Sequence, residues 1–197
     1  EARRVLPSLT AIRAETSLPI SIDTYHALVA EQALCVGADL VNDIMGLRKD
    51  ARMATVVASS GCGLIAMHNQ RERPFHDVVG DISAGFVDML RLADTAGIAR
   101  SKIVLDPGFG FGWTESQNLE ILRRLPELWH FELPLLIGTS RKSTLGMLLD
   151  APVEDRIAGS LASEAVAIAG GADIVRAHDV RETVRAARVT DAIVRGK

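Results

Sequence analysis

The chain has 197 residues, 48% of them hydrophobic and 24% charged, which excludes a disordered protein, because such a chain could not bury enough apolar surface to fold. Its 22 Lys and Arg residues against 25 Asp and Glu residues give a net charge of -3, which provides no broad field for nucleic acid or an acidic membrane surface. No apolar run is long enough to span a membrane, and the N-terminal residues lack the apolar stretch of a signal peptide. We therefore expect a cytoplasmic protein that binds neither nucleic acid nor membrane.

The two cysteines, Cys35 and Cys62, stand among small or apolar residues. A zinc site would need further Cys or His ligands at close spacing, which the sequence does not offer. We expect two reduced, buried thiols and no metal ligands from this chain.

Six short apolar runs alternate with segments of helical periodicity along the chain. The runs cover 18–23, 38–43, 63–68, 102–106, 134–140 and 172–178, and helical spacing covers 3–14, 26–36, 154–169 and 182–194. Several runs are continuously apolar, as expected for strands buried on both faces. Without a linker or a shift in composition, residues 1–197 are predicted to form a single domain.

Repeated strand–helix alternation predicts a parallel sheet with right-handed crossovers, either open or closed into a barrel. Nearly every predicted strand ends in polar residues, and a barrel gathers such ends around one mouth. We therefore predict an α/β fold of the TIM (β/α)₈ class. A barrel needs eight strands, so this chain would supply about six of the eight strand–helix units, with two expected upstream.

The stretch Asp106–Gly112 (DPGFGFG) places a carboxylate where a predicted strand stops, followed by glycines that allow close approach of a ligand. It does not match the dinucleotide-binding spacing. One interpretation is that Asp106 caps a turn in a plain glycine-rich connection. The other, which Phe109 and Phe111 on the same loop favour, is a wall that faces a ligand.

Residues 138–143 (GTSRKS) follow the fifth predicted strand and open a helix near Thr144. Free backbone N–H groups at a helix start bind carboxylate or phosphate, and Arg141, Lys142 and Ser143 add donors. Helix capping by Ser140 or Ser143 is the alternative, but it does not explain two adjacent cations where the helix dipole disfavours them.

Arg176 and His178 follow the last predicted strand, and their spacing of two residues predicts that both project from one face. A guanidinium beside an imidazole is a suitable clamp for phosphate. The alternative is a surface ion pair between Arg176 and Asp179 with a capping histidine.

Four other residues at strand ends give weaker signals. Asp23 could bind a ligand or cap the next helix, and Met67 and His68 could be core residues. Asn42 offers both donors and an acceptor, which suits the edge of a heterocycle better than a charge.

Taken together and in order, these motifs resemble the bacterial dihydropteroate synthases. The motifs are 21–24 (SIDT), 41–44 (VNDI), 67–68 (MH), 106–112 (DPGFGFG), 140–143 (SRKS) and 176–180 (RAHDV). The resemblance runs from Arg4 to the C-terminus. It implies a TIM barrel, usually dimeric, that joins 6-hydroxymethyl-7,8-dihydropterin diphosphate to p-aminobenzoate, releases pyrophosphate with Mg²⁺ present, and is inhibited by sulfonamides that mimic p-aminobenzoate.

The resemblance also implies roles for individual residues. The pterin would be bound by Asp23, Asn42, Ile44, Met67, Asp106 and Lys142. The p-aminobenzoate would be bound by Phe111 and Ser143, and the diphosphate by Arg176 and His178. Residues acting in the reaction itself would be Asp23, Lys142, Arg176 and His178. A carboxylate such as Asp106 can accept both donors of the pterin edge.

Three departures from the family pattern accompany the resemblance. Trp113 stands where many members have a basic residue, and the stretch 69–77 is short. The two upstream strands and their loops, which in the family supply the asparagine associated with Mg²⁺, do not occur in the sequence. The ligand for Mg²⁺ is therefore expected from that upstream segment.

Two further hypotheses stay open. A pterin-binding paralogue without catalytic activity would keep the pocket, and a methyltetrahydrofolate-dependent methyltransferase would share only pterin recognition. The cations at 141–142 and 176 argue against the methyltransferase, because that reaction has no diphosphate to bind.

Overall fold

The computed structural model describes residues 1–196 and shows six strands, each within one of the predicted apolar runs. The strands are β1 (Ser21–Asp23), β2 (Leu40–Asp43), β3 (Gly63–Met67), β4 (Ile103–Asp106), β5 (Leu136–Ile137) and β6 (Ile174–Val175). The α-helices are α1 (Ala2–Glu15), α2 (Ala27–Cys35), α3 (Met53–Ser60), α4 (Val78–Ala96), α5 (Glu115–Arg123), α6 (Ser143–Leu149), α7 (Ile157–Ala169) and α8 (Val180–Val194). Short 3₁₀ segments cover Arg100–Lys102, Leu125–Phe131 and Val153–Asp155.

The first four strands form one sheet in the order β1-β2-β3-β4. β1 to β3 pair in parallel, with Asp23 beside Asn42 and Val41 beside Leu64. β5 and β6 form a second, two-stranded parallel sheet in which Leu136 is paired with Ile174. Parallel neighbours require helical crossovers, so the sheet pairing follows from the strand–helix alternation of the sequence.

The chain divides into two compact units, residues 1–69 with 84–105 and residues 70–83 with 106–197. In the first unit the fully buried Val41 and Leu64 of the sheet and Phe86 of α4 belong to the core. In the second, Ile137 of β5 and Ala167 of α7 are fully buried. The single domain over 1–197 stays a prediction.

Three helix starts differ from the interpretations offered by the sequence. α2 begins after His26, so Asp23 is not its cap. α6 begins after Lys142 without a side-chain cap, which makes capping by Ser140 or Ser143 wrong. α8 begins at Val180, two residues before the predicted start.

The two cysteines differ in burial. Cys62 is buried as expected, but Cys35 is exposed, because it lies at the end of α2 on the outer face. In residues 1–196, no helix combines the length and the apolar character that crossing a membrane requires.

Candidate active site

In the first unit, two of the predicted pterin ligands are neighbours in the sheet. Asp23 ends β1 with an exposed side chain, and Asn42 lies beside it on β2 with only 4% of its surface exposed. The sheet register places them together because both strands end at the same edge. An exposed carboxylate next to a buried amide is a suitable pair for the polar edge of a heterocycle.

Asp43, which the sequence analysis did not single out, organises the turn after β2. Its two carboxylate oxygens accept hydrogen bonds from the backbone N–H groups of Met45 and Leu47, both at 2.8 Å. Burial raises the pKa of Asp43 above its usual value, against the lowering effect of these two bonds. Asp43 therefore fixes the loop that carries Ile44.

Ile44 and Met67 differ in exposure. Ile44 is partly exposed, and its carbonyl accepts a hydrogen bond from Asn69 Nδ2 at 3.2 Å. Met67 is fully buried, as is His68, whose Nδ1 would lie 2.0 Å from a Cβ placed on Gly85. His68 is thus a core residue under α4, and a contact of Met67 with a pterin stays a prediction.

In the second unit, Asp106 ends β4 and is 1% exposed. Its Oδ1 accepts from the Gly108 backbone N–H at 2.8 Å, so the carboxylate does close a turn, as the first interpretation held. Its Oδ2 accepts from Arg176 Nη2 at 2.9 Å. The side chain is therefore both structural and part of a charged pair.

Arg176 lies beyond the end of β6, and its position depends on a glycine. Its backbone N–H donates to the Ile137 carbonyl at 2.9 Å, and its Nη2 would lie 3.1 Å from a Cβ on Gly138. With Gly at 138, the guanidinium lies across the end of β5 and reaches Asp106. His178 does not join it, because the His178 backbone N–H and Nδ1 both contact Ser140 Oγ, at 3.2 and 3.1 Å.

Lys142 precedes α6 and contacts the glycine-rich loop 106–112. Its Nζ donates to the Phe109 carbonyl, and it stands 4.8 Å from the centroid of the Phe111 ring. The pKa of Lys142 is lowered to about 8, chiefly by burial; Asp106 opposes this shift, and the positive charges of Arg176 and Arg71 contribute to it. The charge of Lys142 therefore changes near pH 8.

The two phenylalanines of the loop have different environments. Phe109 is 1% exposed and belongs to the core, so its predicted place in a ligand-facing wall is wrong. Phe111 is partly exposed and faces two cations, Arg71 and Lys142. Only Phe111 can offer its ring to a ligand.

Arg141 does not serve as the anion donor that its position before α6 predicted. Its Nε donates to Asp179 Oδ2 at 2.9 Å, and its Nη2 bonds the other oxygen. This bidentate pair lowers the pKa of Asp179. The alternative pairing of Asp179 with Arg176 is also wrong. Ser143 is the first residue of α6 and is exposed.

Sequence reasoning missed two residues that shape this cluster. Arg71 places its guanidinium carbon 5.1 Å from the centroid of the Phe111 ring. Asn118, 2% exposed, accepts from the Gly110 N–H at 2.6 Å and donates to Thr144 Oγ1 at 3.0 Å. No local motif marks either one, because both act through contacts distant in sequence.

The second unit therefore brings Asp106, Arg176, Lys142 and Phe111 together, while the first brings Asp23 beside Asn42. A buried carboxylate paired with a guanidinium, next to a desolvated ammonium and an aromatic ring, can bind a polar heterocycle that carries an anion. These properties define a site for a charged, ring-containing ligand.

Comparisons with known proteins agree with this description. A family profile described as "Pterin binding enzyme" matches residues 1–178. The dihydropteroate synthase of Clostridium beijerinckii is 44% identical over 196 residues, which cover 99% of this chain and 73% of that protein.

Two solved structures are also similar. The dihydropteroate synthase of Clostridium difficile, determined in the presence of pteroic acid, is 46% identical with a TM-score of 0.96, over 99% of this chain and 74% of that one. The Yersinia pestis enzyme in a sulfonamide drug complex is 39% identical with a TM-score of 0.94, over 99% and 73%. The chain belongs to the pterin-binding enzyme family and, within it, to the dihydropteroate synthases. The predicted TIM-barrel fold class, with about six of eight units, is confirmed by these neighbours.

Proposed function

We propose that the protein condenses 6-hydroxymethyl-7,8-dihydropterin diphosphate with p-aminobenzoate, giving 7,8-dihydropteroate and pyrophosphate. The observation that carries this proposal is the ion pair of the buried Asp106 carboxylate with Arg176, beside Lys142. Family membership supplies the substrate class, since the similar Clostridium difficile structure was determined with pteroic acid.

The pterin ring is assigned to Asp106 and Lys142, with Asp23, Asn42, Ile44 and Met67 as the further ligands that the family resemblance implies. The 2-amino group and the adjacent ring N–H of a pterin form an edge of two donors. The Asp106 carboxylate, being only an acceptor when ionised, matches that edge. The Lys142 ammonium, only a donor, matches a ring acceptor, and its desolvated position strengthens that bond.

The diphosphate is assigned to Arg176, with His178, whose Nδ1 contacts Ser140 Oγ, as the second ligand that the family resemblance implies. Arg176 uses Nη2 for Asp106 and has further N–H groups that can donate to phosphate oxygens. In this arrangement the Arg176 guanidinium contacts both the Asp106 carboxylate, which binds the pterin ring, and the pyrophosphate, which is the leaving group. Its charge stabilises the negative charge that builds on the departing pyrophosphate.

The reaction needs no covalent intermediate with the protein. The amino nitrogen of p-aminobenzoate attacks the exocyclic methylene carbon, a C–N bond forms, and the C–O bond to the diphosphate breaks with its electron pair. The amine then loses a proton to solvent. Phe111 would line the benzoate ring, and Ser143 with the first N–H groups of α6 would bind its carboxylate, which holds the two reactants in line.

Mg²⁺ is proposed as a companion of the diphosphate, where it would neutralise phosphate charge. Within residues 1–196, no group of three or more His, Cys, Asp and Glu side chains is placed to hold a metal ion. None of the steps above depends on the ion.

Sulfonamides are proposed as competitive ligands of the p-aminobenzoate position. The Yersinia pestis relative was solved in complex with a sulfonamide drug.

We also place the protein in the cytoplasm, where reducing conditions suit an exposed free thiol such as Cys35.

A homodimer is proposed as the working form. A cavity of about 320 Å³ opens between α5, α6 and α7, lined mainly by apolar side chains that include Leu119, Leu148 and Val166. Exposed apolar surface of this kind is typical of association sites. Light scattering of the protein and of a Leu148→Glu variant tests this proposal. We expect the wild type to be a dimer and the variant to be a monomer, and a variant that is still dimeric would contradict the assignment of the interface.

Calorimetry tests the proposed function directly. Titration with the pterin diphosphate, and then with p-aminobenzoate in the presence of pyrophosphate, should show two binding events. Absence of any pterin binding would contradict the proposal.

A further inference from the structure

The segment that follows His68 lies directly on the glycine-rich loop. The Gln70 N–H donates to the Phe111 carbonyl at 3.0 Å. Gly112 has a φ of +87°, and a Cβ there would lie 2.4 Å from the backbone nitrogen of Arg71. Because there is no room for a side chain between the two backbones, Arg71 is held next to Phe111.

Arg71 and Lys142 share one aromatic ring. The Arg71 guanidinium carbon lies 5.1 Å and the Lys142 Nζ lies 4.8 Å from the centroid of Phe111. An aromatic face attracts a cation, so each interaction stabilises the position of the ring. The two positive charges also act on each other, since Arg71 is among the groups that lower the pKa of Lys142.

The other surroundings of Lys142 are known. The charged groups that act on it are Asp106 at the end of β4, Arg176 after β6 and Arg71 from the 70–77 segment. The Phe109 carbonyl accepts a hydrogen bond from Lys142 Nζ, and the centroid of the Phe109 ring lies 5.6 Å from the same nitrogen. Arg176 donates to the Asp106 carboxylate, and the Arg71 guanidinium lies over the Phe111 ring that Lys142 also contacts.

We propose that Arg71 is a positioning residue of the active site: it holds the Phe111 ring and, beside that ring, adds to the positive charge that acts on the Lys142 ammonium. The consequence for binding rests on the proposed function, in which Lys142 contacts the pterin and Phe111 the p-aminobenzoate. The effect of Arg71 on Lys142 does not depend on any substrate, and it can be measured in the free protein.

The first experiment measures the reactivity of Lys142 with acetic anhydride as a function of pH, by mass spectrometry of the full-length protein. Only the neutral amine reacts, so the midpoint reports the pKa of Lys142. In Arg71→Ala the loss of a positive charge should move the midpoint to higher pH, whereas Arg71→Lys should keep it near the wild-type value. Arg123→Ala, which removes an exposed arginine of α5, is the matched control. An unmoved midpoint in Arg71→Ala would overturn the proposal.

The second experiment measures steady-state synthesis of dihydropteroate. Arg71→Ala should raise KM for p-aminobenzoate about two- to fivefold, the equivalent of one lost cation–π contact, with a smaller effect on kcat. The same substitution in a Phe111→Leu background should change KM less, because the ring is already gone. Equal effects in both backgrounds would overturn the part of the proposal that concerns Phe111. A wild-type protein that forms no dihydropteroate would instead contradict the proposed function, while the acylation midpoint still decides the role of Arg71.

Discussion

The Arg176 guanidinium and the Asp106 carboxylate form a 2.9 Å ion pair in which Asp106 is almost fully buried and Arg176 is partly exposed. A buried carboxylate in a binding site has to be compensated, and a guanidinium does so while keeping donors for a second anion. The pair therefore connects recognition of a heterocycle with recognition of its diphosphate.

Replacing Asp106 by Asn should weaken pterin binding strongly while leaving the fold intact. Asn can still accept from the Gly108 N–H, but it lacks the charge and the second acceptor that the pterin edge needs. We expect a loss of about 2–3 kcal/mol, or about 30-fold or more in Kd, by calorimetry. Circular dichroism would check folding, and a folded variant with wild-type affinity would contradict the assignment.

Replacing Arg176 by Ala should weaken pyrophosphate binding far more than binding of a pterin without phosphates. A lost charge-assisted interaction with phosphate corresponds to about tenfold or more in Kd. The pterin loses some affinity as well, because Asp106 loses its partner. Equal losses for both ligands, measured by calorimetry, would mean that Arg176 only supports Asp106.

Lys142 should make folding stability depend on pH above neutrality. The pKa of Lys142 is about 8 in the folded protein and 10.5 when the side chain is not buried. Between pH 8 and pH 10.5 the unfolded state therefore binds more protons, and the free energy of unfolding rises with pH. Between pH 7 and pH 10.5, wild type should gain about 3 kcal/mol over Lys142→Met in urea unfolding. Lys102→Met, at an exposed lysine, serves as the control. A constant difference between wild type and Lys142→Met would contradict the burial of the ammonium.

Glu164 should give the opposite dependence. It is 1% exposed in α7, its Oε2 accepts from Thr183 at 2.9 Å, and burial raises its pKa above 4.5. The folded state therefore binds more protons, and stability falls as pH rises above 4.5.

Glu164→Gln removes this dependence, so its stability relative to wild type should be greater at pH 8 than at pH 5. Glu182→Gln in α8, a less buried position, is the matched comparison. Thermal unfolding with the same difference at both pH values would refute the prediction.

The sequence predicted the six strands found in residues 1–196, because short apolar runs separated by helical segments are typical of buried strands in a parallel sheet. It also singled out Asp106, Lys142 and Arg176, which stand at or after the ends of predicted strands and which the structure brings together in the second unit; their roles toward a ligand stay predictions. It was wrong about Arg141, whose partner Asp179 lies 38 residues away. It missed Arg71 for the same reason, because the contact with Phe111 depends on how two loops pack and leaves no local pattern.

The packing of those two loops can be tested at Gly112. Gly112→Ala combines a positive φ with a clash against the 70–71 backbone, whereas Gly97→Ala has a similar φ of +82° and open space around its Cβ. We expect Gly97→Ala to cost about 1 kcal/mol and Gly112→Ala at least about 1 kcal/mol more, by urea unfolding. An equal loss in the free energy of unfolding for both variants would show that residues 70–71 are not tightly packed against the glycine-rich loop.

The most direct measurement of the proposed function is the formation of dihydropteroate by the full-length protein. With the pterin diphosphate, p-aminobenzoate and Mg²⁺, we expect product and pyrophosphate in equal amounts, and neither when p-aminobenzoate is omitted. Asp106→Asn, assayed in parallel at low pterin concentration, should form far less product. Tight binding of the pterin diphosphate without any product would contradict the proposed reaction and would identify a pterin-binding protein without synthase activity.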